Sequence, residues 1–170
     1  KNSFLLDSVG QKLFPDFVRI YEQPHLPGAL GSHAFDGEGV PTRANVLVDK
    51  GILKQYLMGS YSARKMGLKT TANSDGVHNL TIDSTAGGLT ELLKTMGTGL
   101  LVTELMGQGV NGITGDYSRG ASGYWVEEGM VQFPVDQITI AGNLKEMFQM
   151  IRAIGNDVNP NIATRCGSIL

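Results

Sequence analysis

The sequence has one cysteine, Cys166, in 170 residues, so an internal disulfide is excluded and nothing marks an oxidising compartment. A reducing cytoplasm is the expectation. Charge is sparse and balanced: Asp, Glu, Lys and Arg make up 18% of the chain and sum to −2 at pH 7. That excludes a polybasic surface for direct nucleic-acid binding and an acidic tail, while an apolar fraction of 41% excludes intrinsic disorder. No run approaches the ~18 consecutive apolar residues of a membrane span. The stretch from Gly99 to Met106 is short and contains Glu104.

What is abundant is glycine, 23 residues, against a usual share of about 7%. With six prolines and an ordinary apolar fraction, these glycines read as turns, bulges and close backbone approaches inside one folded domain, not as a linker. Lys1 is not an initiator residue, and the chain stops at Ser168-Ile169-Leu170 just as an apolar run begins. Both ends predict a fragment, so a missing signal peptide carries no information.

Period-two alternation predicts a strand over residues 17 to 23, and Pro24 to Pro41 reads as a long loop over the surface or over a site. Asp49-Lys50-Gly51 between two strand-like segments predicts a β-hairpin, and Glu127-Glu128-Gly129 a second. Helices are expected at Ser60 to Met66, stopped by Gly67, and at Leu89 to Met96, where Leu89, Leu92, Leu93 and Met96 share a face before Gly97. Strands are expected at 76 to 83, 100 to 106 and 135 to 141, with a glycine-rich turn region from 111 to 124. A last helix is predicted from Asn143 to Ile154, with Asn143 as cap, Glu146 in the capping-box position and Gly155 as stop. The sum is α+β: a mainly antiparallel twisted β-sheet with two or three short helices.

Few residues carry chemistry unaided. Gly107-Gln108-Gly109-Val110-Asn111-Gly112 matches G-x-G-x-x-G after a strand, but Ile113-Thr114-Gly115-Asp116 follows where a dinucleotide site needs a helix N-terminus. His25, His33 and His78, with Asp36, Glu38, Asp83 and Cys166, fit no zinc spacing. His25 reads as an exposed loop residue and His78 as a strand residue bonded to a neighbour. Ser122 has no argued base. Alternation places Glu104 beside Leu100, Val102 and Met106, where a carboxylate needs a partner. Asp116 and Arg119 lie on the glycine-rich turn, as a local pair or as ligands for polar groups.

Four segments, Ser60 to Gly67, Met96 to Gly112, Ile113 to Gly120 and Ile138 to Lys145, closely resemble the TldD/PmbA family, known both as modulators of DNA gyrase and as metallopeptidases. The resemblance covers essentially all of residues 1–170 and is strongest to the PmbA-type (TldE-type) members, of which this is most of the C-terminal domain, the N-terminal domain being absent. It implies a subunit of a TldD-PmbA type metalloprotease complex that cleaves unfolded or leader peptides. Zinc belongs to the TldD-like partner, whose His-Glu-x-x-x-His helix lies upstream of the matched region. Cys166 matches the family's zinc-cysteine position, but without the two histidines it gives no complete metal site, and no catalytic residue or cofactor is expected in this chain. The peptide-binding residues expected are Glu104, Gly109, Asp116 and Arg119. A homo-oligomer of the isolated protein is a further expectation. Two alternatives remain: peptide hydrolysis by the chain's own protein through Cys166 and residues outside it, and a non-enzymatic regulator binding DNA gyrase or toxin-antitoxin proteins.

Overall fold

A computed structural model describes residues 3–170. The first hairpin forms where turn chemistry placed it: β2 (Asn45–Asp49) and β3 (Ile52–Leu53) are joined by Lys50 and Gly51 at φ 50° and 73°. Two left-handed residues match the right-handed twist of the flanking strands, which is why a glycine stands there. β1 (Ile20–Glu22) pairs antiparallel with both β2 and β4 (Leu80–Ile82), and the two-residue β8 (Thr164–Arg165) pairs parallel with β4. The order is β3-β2-β1-β4-β8.

A second, antiparallel sheet has the order β5-β6-β7, from β5 (Gly99–Met106), β6 (Asp116–Glu127) and β7 (Met130–Asn143). The hairpin at Glu128-Gly129 joins β6 to β7, again with both residues at positive φ. Helices α1 (Ser60–Met66) and α2 (Leu89–Met96) occupy the expected residues and stop at Gly67 and Gly97, while α3 (Leu144–Met150) follows β7. The fold is α+β and mainly antiparallel, with three short helices among the described residues. Among the described residues no helix is long and apolar enough to cross a membrane.

Leu13, Val18, Val48, Leu53 and Ile154 form the buried core, with Phe14, Ile20, Ile82 and Cys166 packed on it. Each such aliphatic side chain contributes roughly 1.5–3 kcal/mol by leaving water. This core explains the one helix that ends early. Ile151 leaves the α-region at φ −56° and ψ 127°, and Ile154 continues extended, bridged to Ile169 and 1% exposed. Its carbonyl accepts the N–H groups of Thr85 and Ala86 at 2.8 and 3.1 Å. Burial of Ile154 from an extended backbone outweighs the helical periodicity that linked it to Leu144, Met147 and Phe148. Two strands are also shorter than alternation predicts, since β1 covers only 20–22 and β4 only 80–82.

The segment 111–124 corrects the expectation of a glycine-rich turn. The turn ends at Gly115, and Asp116 opens the twelve-residue central strand of the second sheet. At Gly123 the neighbouring strand lies too close for a side chain: a Cβ there would collide with the Leu101 carbonyl.

Candidate functional site

The glycine-rich hairpin between β5 and β6 shows what the G-x-G-x-x-G pattern does here. Ser118 N–H donates to the Gly109 carbonyl at 2.7 Å, Asn111 N–H donates to the Asp116 carbonyl at 2.8 Å, and Val110 bridges Tyr117. A Cβ on Gly109 would collide with the Ser118 carbonyl. No helix follows, so the motif is a tight strand connection and not a pyrophosphate cradle.

The four residues expected to contact a peptide all lie on or beside this hairpin, in different settings. Glu104 is exposed, because a bulge between Val102 and Glu104 inserts one residue into β5. Glu104 then pairs with Ser122 while Leu105 pairs with Ala121, so Leu105 takes the place on the Leu100 and Val102 side and the carboxylate turns to the other. The buried partner that alternation demanded is not needed. Asp116 and Arg119 are strand residues and do not pair with each other. Asp116 accepts from the Thr114 hydroxyl at 2.6 Å and from Asn143 Nδ2 at 3.3 Å. Arg119 donates from Nη2 to the Leu105 carbonyl at 3.2 Å and from Nε to the Met106 carbonyl at 3.5 Å, tying the end of β5 to β6.

The same bulge leaves one face of the sheet apolar. The rows Leu100–Trp125–Phe133, Val102–Gly123–Val135 and Leu105–Ala121–Ile138 run across all three strands. Phe133 is 54% exposed and Leu105 41%. Contiguous apolar surface of this kind marks an interaction surface more often than a solvent-facing one.

Cys166 lies after β8, half-buried against the core, with its thiol donating to the Gly167 carbonyl at 3.1 Å. Burial, and then the Asp157 carboxylate, push its pKa up, which disfavours the thiolate a metal requires. Asp157 is engaged by Ser168, whose hydroxyl and N–H donate to it at 2.6 and 2.9 Å. His25 is exposed and bonds the Thr42 hydroxyl, while His78 is buried, 3.0 Å from the Ala72 carbonyl through Nε2, and meets the His33 ring edge-on at 5.5 Å between centroids. Among the described residues no group of three or more His, Cys, Asp or Glu side chains is placed to hold a metal ion. A catalytic zinc centre takes three such side chains and a water, a structural one four, so the described residues do not by themselves fit either.

Residue-type reasoning passed over a buried polar cluster beside this region. Glu22 is 1% exposed and accepts from Asn45 Nδ2 at 2.6 Å, from Asn73 Nδ2 at 3.0 Å to each oxygen, and from His78 N–H at 3.0 Å. Asn79, fully buried with φ 47°, holds the loop after β1: its amide donates to the Gln23 carbonyl and the Ser32 hydroxyl and accepts from Gly31 N–H. In sequence these residues are spread in short pieces from position 22 to position 79. The one available signal is Glu22 ending a strand whose other inward residue is Ile20.

Comparison with known proteins places these features. Residues 1–170 match the model of the PmbA/TldA metallopeptidase C-terminal domain. The Metalloprotease PmbA of Escherichia coli O157:H7 is 54% identical over the whole chain, which covers 38% of that protein. A solved structure from Bacteroides thetaiotaomicron, described as a candidate modulator of DNA gyrase, superposes at a TM-score of 0.92 with 34% identity, covering 99% of this chain and 38% of that one. TldE from Thermococcus kodakarensis superposes at 0.80 with 27% identity, covering 97% and 40%. The chain thus spans about two fifths of the length of these relatives.

Proposed function

The chain belongs to the PmbA/TldA metallopeptidase C-terminal domain family, and on that premise we propose that it is part of a subunit that positions peptide in a two-component, TldD-PmbA type protease. Its substrates are unfolded or leader peptides in the cytoplasm, the zinc and the acid/base glutamate belong to a TldD-like partner, and this chain contributes surface and backbone.

The observation that carries the reading is the apolar face of the β5-β6-β7 sheet, with Phe133 and Leu105 in water. A face of this width calls for a protein neighbour, and a TldD-like subunit is the occupant we assign to it. The outer edges of β5 and β7 also have no strand partner among the described residues. Pro134 and the left-handed Gln137 blunt the β7 edge, whereas β5 has no proline and offers its main chain to an extended peptide. Glu104, Gly109, Asp116 and Arg119 frame the far end of that edge. Main-chain pairing recognises an unfolded segment with little regard to sequence.

The test is reconstitution of the full-length protein with a TldD-like subunit. Expected is a stable complex that hydrolyses an unfolded peptide, and loss of assembly in Phe133→Lys with folding of the single subunit unchanged. An assembly that survives Phe133→Lys assigns the face to another part of the same chain or to a second copy, and removes it as support. Stoichiometric zinc in the isolated full-length protein, abolished by Cys166→Ser, reverses the division of labour. The name carried by the Bacteroides relative supports one other reading, a non-enzymatic regulator of DNA gyrase. Recovery of gyrase in preference to a TldD-like subunit from cell extract favours it.

A further inference from the structure

Beside Cys166, Arg165 is a cation without a counter-ion. Among the described residues it makes no ion pair, in contrast to Arg19, which lies 3.7 Å from Asp83 and stacks at 4.8 Å on the Tyr21 ring. Arg165 Nε is enclosed by protein and has no hydrogen-bond partner. A buried N–H of a guanidinium left unpaired costs free energy that native structures rarely leave unrecovered. Arg165 also closes a cleft of about 410 Å³ walled by Leu26, Pro27, Ala29, Pro160 and Asn161, with no Asp or Glu in its lining. That volume falls within the ~300–1,000 Å³ of small-ligand sites.

The cleft is built before any ligand arrives. The Leu26–Leu30 wall is pinned from below, since Ser32 Oγ donates to the Leu26 carbonyl at 2.6 Å and Asn79 Nδ2 donates to Ser32 Oγ at 2.8 Å. Gly31 is glycine because a Cβ there would meet the Asn79 N–H at 2.6 Å and Ala163 at 3.1 Å, which presses the loop onto the segment leading into β8. Arg165 itself is fixed by the parallel pairing of β8 with Thr81. β8 is the outermost strand of its sheet, and among the described residues no strand pairs with its outer edge.

We propose that the Arg165 cleft is a carboxylate-binding subsite for a peptide lying along β8. A planar guanidinium with free donors in a cleft lacking acids matches the two oxygens of a carboxylate. The carboxylate comes either from the C-terminus of the peptide or from an acidic side chain. The inference rests on the peptide-handling reading above and adds to it a chemical preference at a defined residue.

The experiment uses the full-length protein and three fluorescein-labelled decapeptides of Gly, Ser, Ala and Val, read by fluorescence anisotropy: a free acid, its C-terminal amide, and an amide with one Glu near the end. The free acid, the Glu amide or both are expected to bind about tenfold more tightly than the plain amide, the size of one charge-assisted pair. Arg165→Gln is expected to bring the ratio to about one, and Arg165→Lys to leave part of it. Preference for the free acid alone assigns the site to the peptide terminus, and equal preference for the Glu amide assigns it to any carboxylate. If Arg165→Gln does not fold, erosion of the wild-type preference by added acetate decides instead. Equal binding of all three peptides overturns the subsite and leaves peptide handling intact, an undiminished preference in folded Arg165→Gln overturns it equally, and binding of none overturns both.

Discussion

Glu38 Oε2 accepts the Ser60 N–H at 2.7 Å, so a carboxylate from the 24–41 loop caps a helix twenty-two residues further along the chain. Helix α1 needs this, because its own cap residue is Gly59 and offers no side chain. A negative group at that end also complements the helix dipole. Glu38→Ala is therefore expected to lower stability by about 1 kcal/mol, the usual worth of a lost N-cap. Urea denaturation measures it, and an unchanged midpoint would show that water replaces the cap at no cost.

Glu22 is the costlier carboxylate to alter. It accepts every hydrogen bond it makes, from two asparagine amides and one backbone N–H, with no cation among its partners. Glu22→Gln keeps the shape but turns one acceptor into a donor facing donors. The expected loss is roughly 2–3 kcal/mol, the desolvation cost of polar groups left unpaired in the interior. A Glu22→Gln stability within experimental error of wild type would mean that the cluster rearranges freely.

Acid sensitivity follows from Asp36. Burial pushes its carboxyl up, but N–H donors from Val40, Ser74 and Glu38 outweigh that and hold it below the ordinary carboxylate range. Asp157 is also held low, first by the Ser168 hydroxyl and then by the Ser168 N–H. Both groups are easier to ionise folded than unfolded, so their stabilisation is complete above the unfolded value of about 4 and drains away as pH falls through the lower folded values. The denaturation midpoint should be flat from neutral pH to about 5 and drop below about 4. Asp36→Asn should start lower at neutral pH and show a shallower acid slope, whereas an identical slope would place the acid sensitivity elsewhere.

Local chemistry made the turns and two of the helices readable. Lys50-Gly51, Glu128-Gly129, Gly67 and Gly97 each perform a backbone task that few other residues can, and each is found doing it. Elements decided by distant contacts were not readable in the same way. Ile154 sits at a helical spacing but is drawn extended into the core, and the bulge that frees Glu104 depends on how β5 meets β6, which alternation along one strand does not contain. The site behaves likewise. Cys166 and the glycine-rich hairpin were visible as residue types, whereas Glu22, Asn79 and the unpaired Arg165 acquire meaning only from neighbours far off in the chain.

The glycines between β5 and β6 allow a comparison in which two substitutions of one kind should act in opposite directions. At Gly109 an added methyl collides with the carbonyl of Ser118, a backbone group of the same residue whose N–H donates to the Gly109 carbonyl and closes the hairpin, so the neighbour is main chain and cannot swing aside as a side chain would. At Gly112 nothing lies within 4 Å of the added carbon and φ is not in the left-handed range. Gly109→Ala is expected to lose about 2 kcal/mol or more by forcing the strands apart. Gly112→Ala is expected to be neutral or to gain up to about 1 kcal/mol, because alanine narrows the unfolded ensemble without straining the folded one. Hydrogen exchange should show the same split, with faster exchange of the Ser118 and Asn111 amides in Gly109→Ala and no change in Gly112→Ala. Equal stability of the two variants would mean that the hairpin yields as a whole, and a hairpin that yields could not serve as a fixed end for the β5 edge.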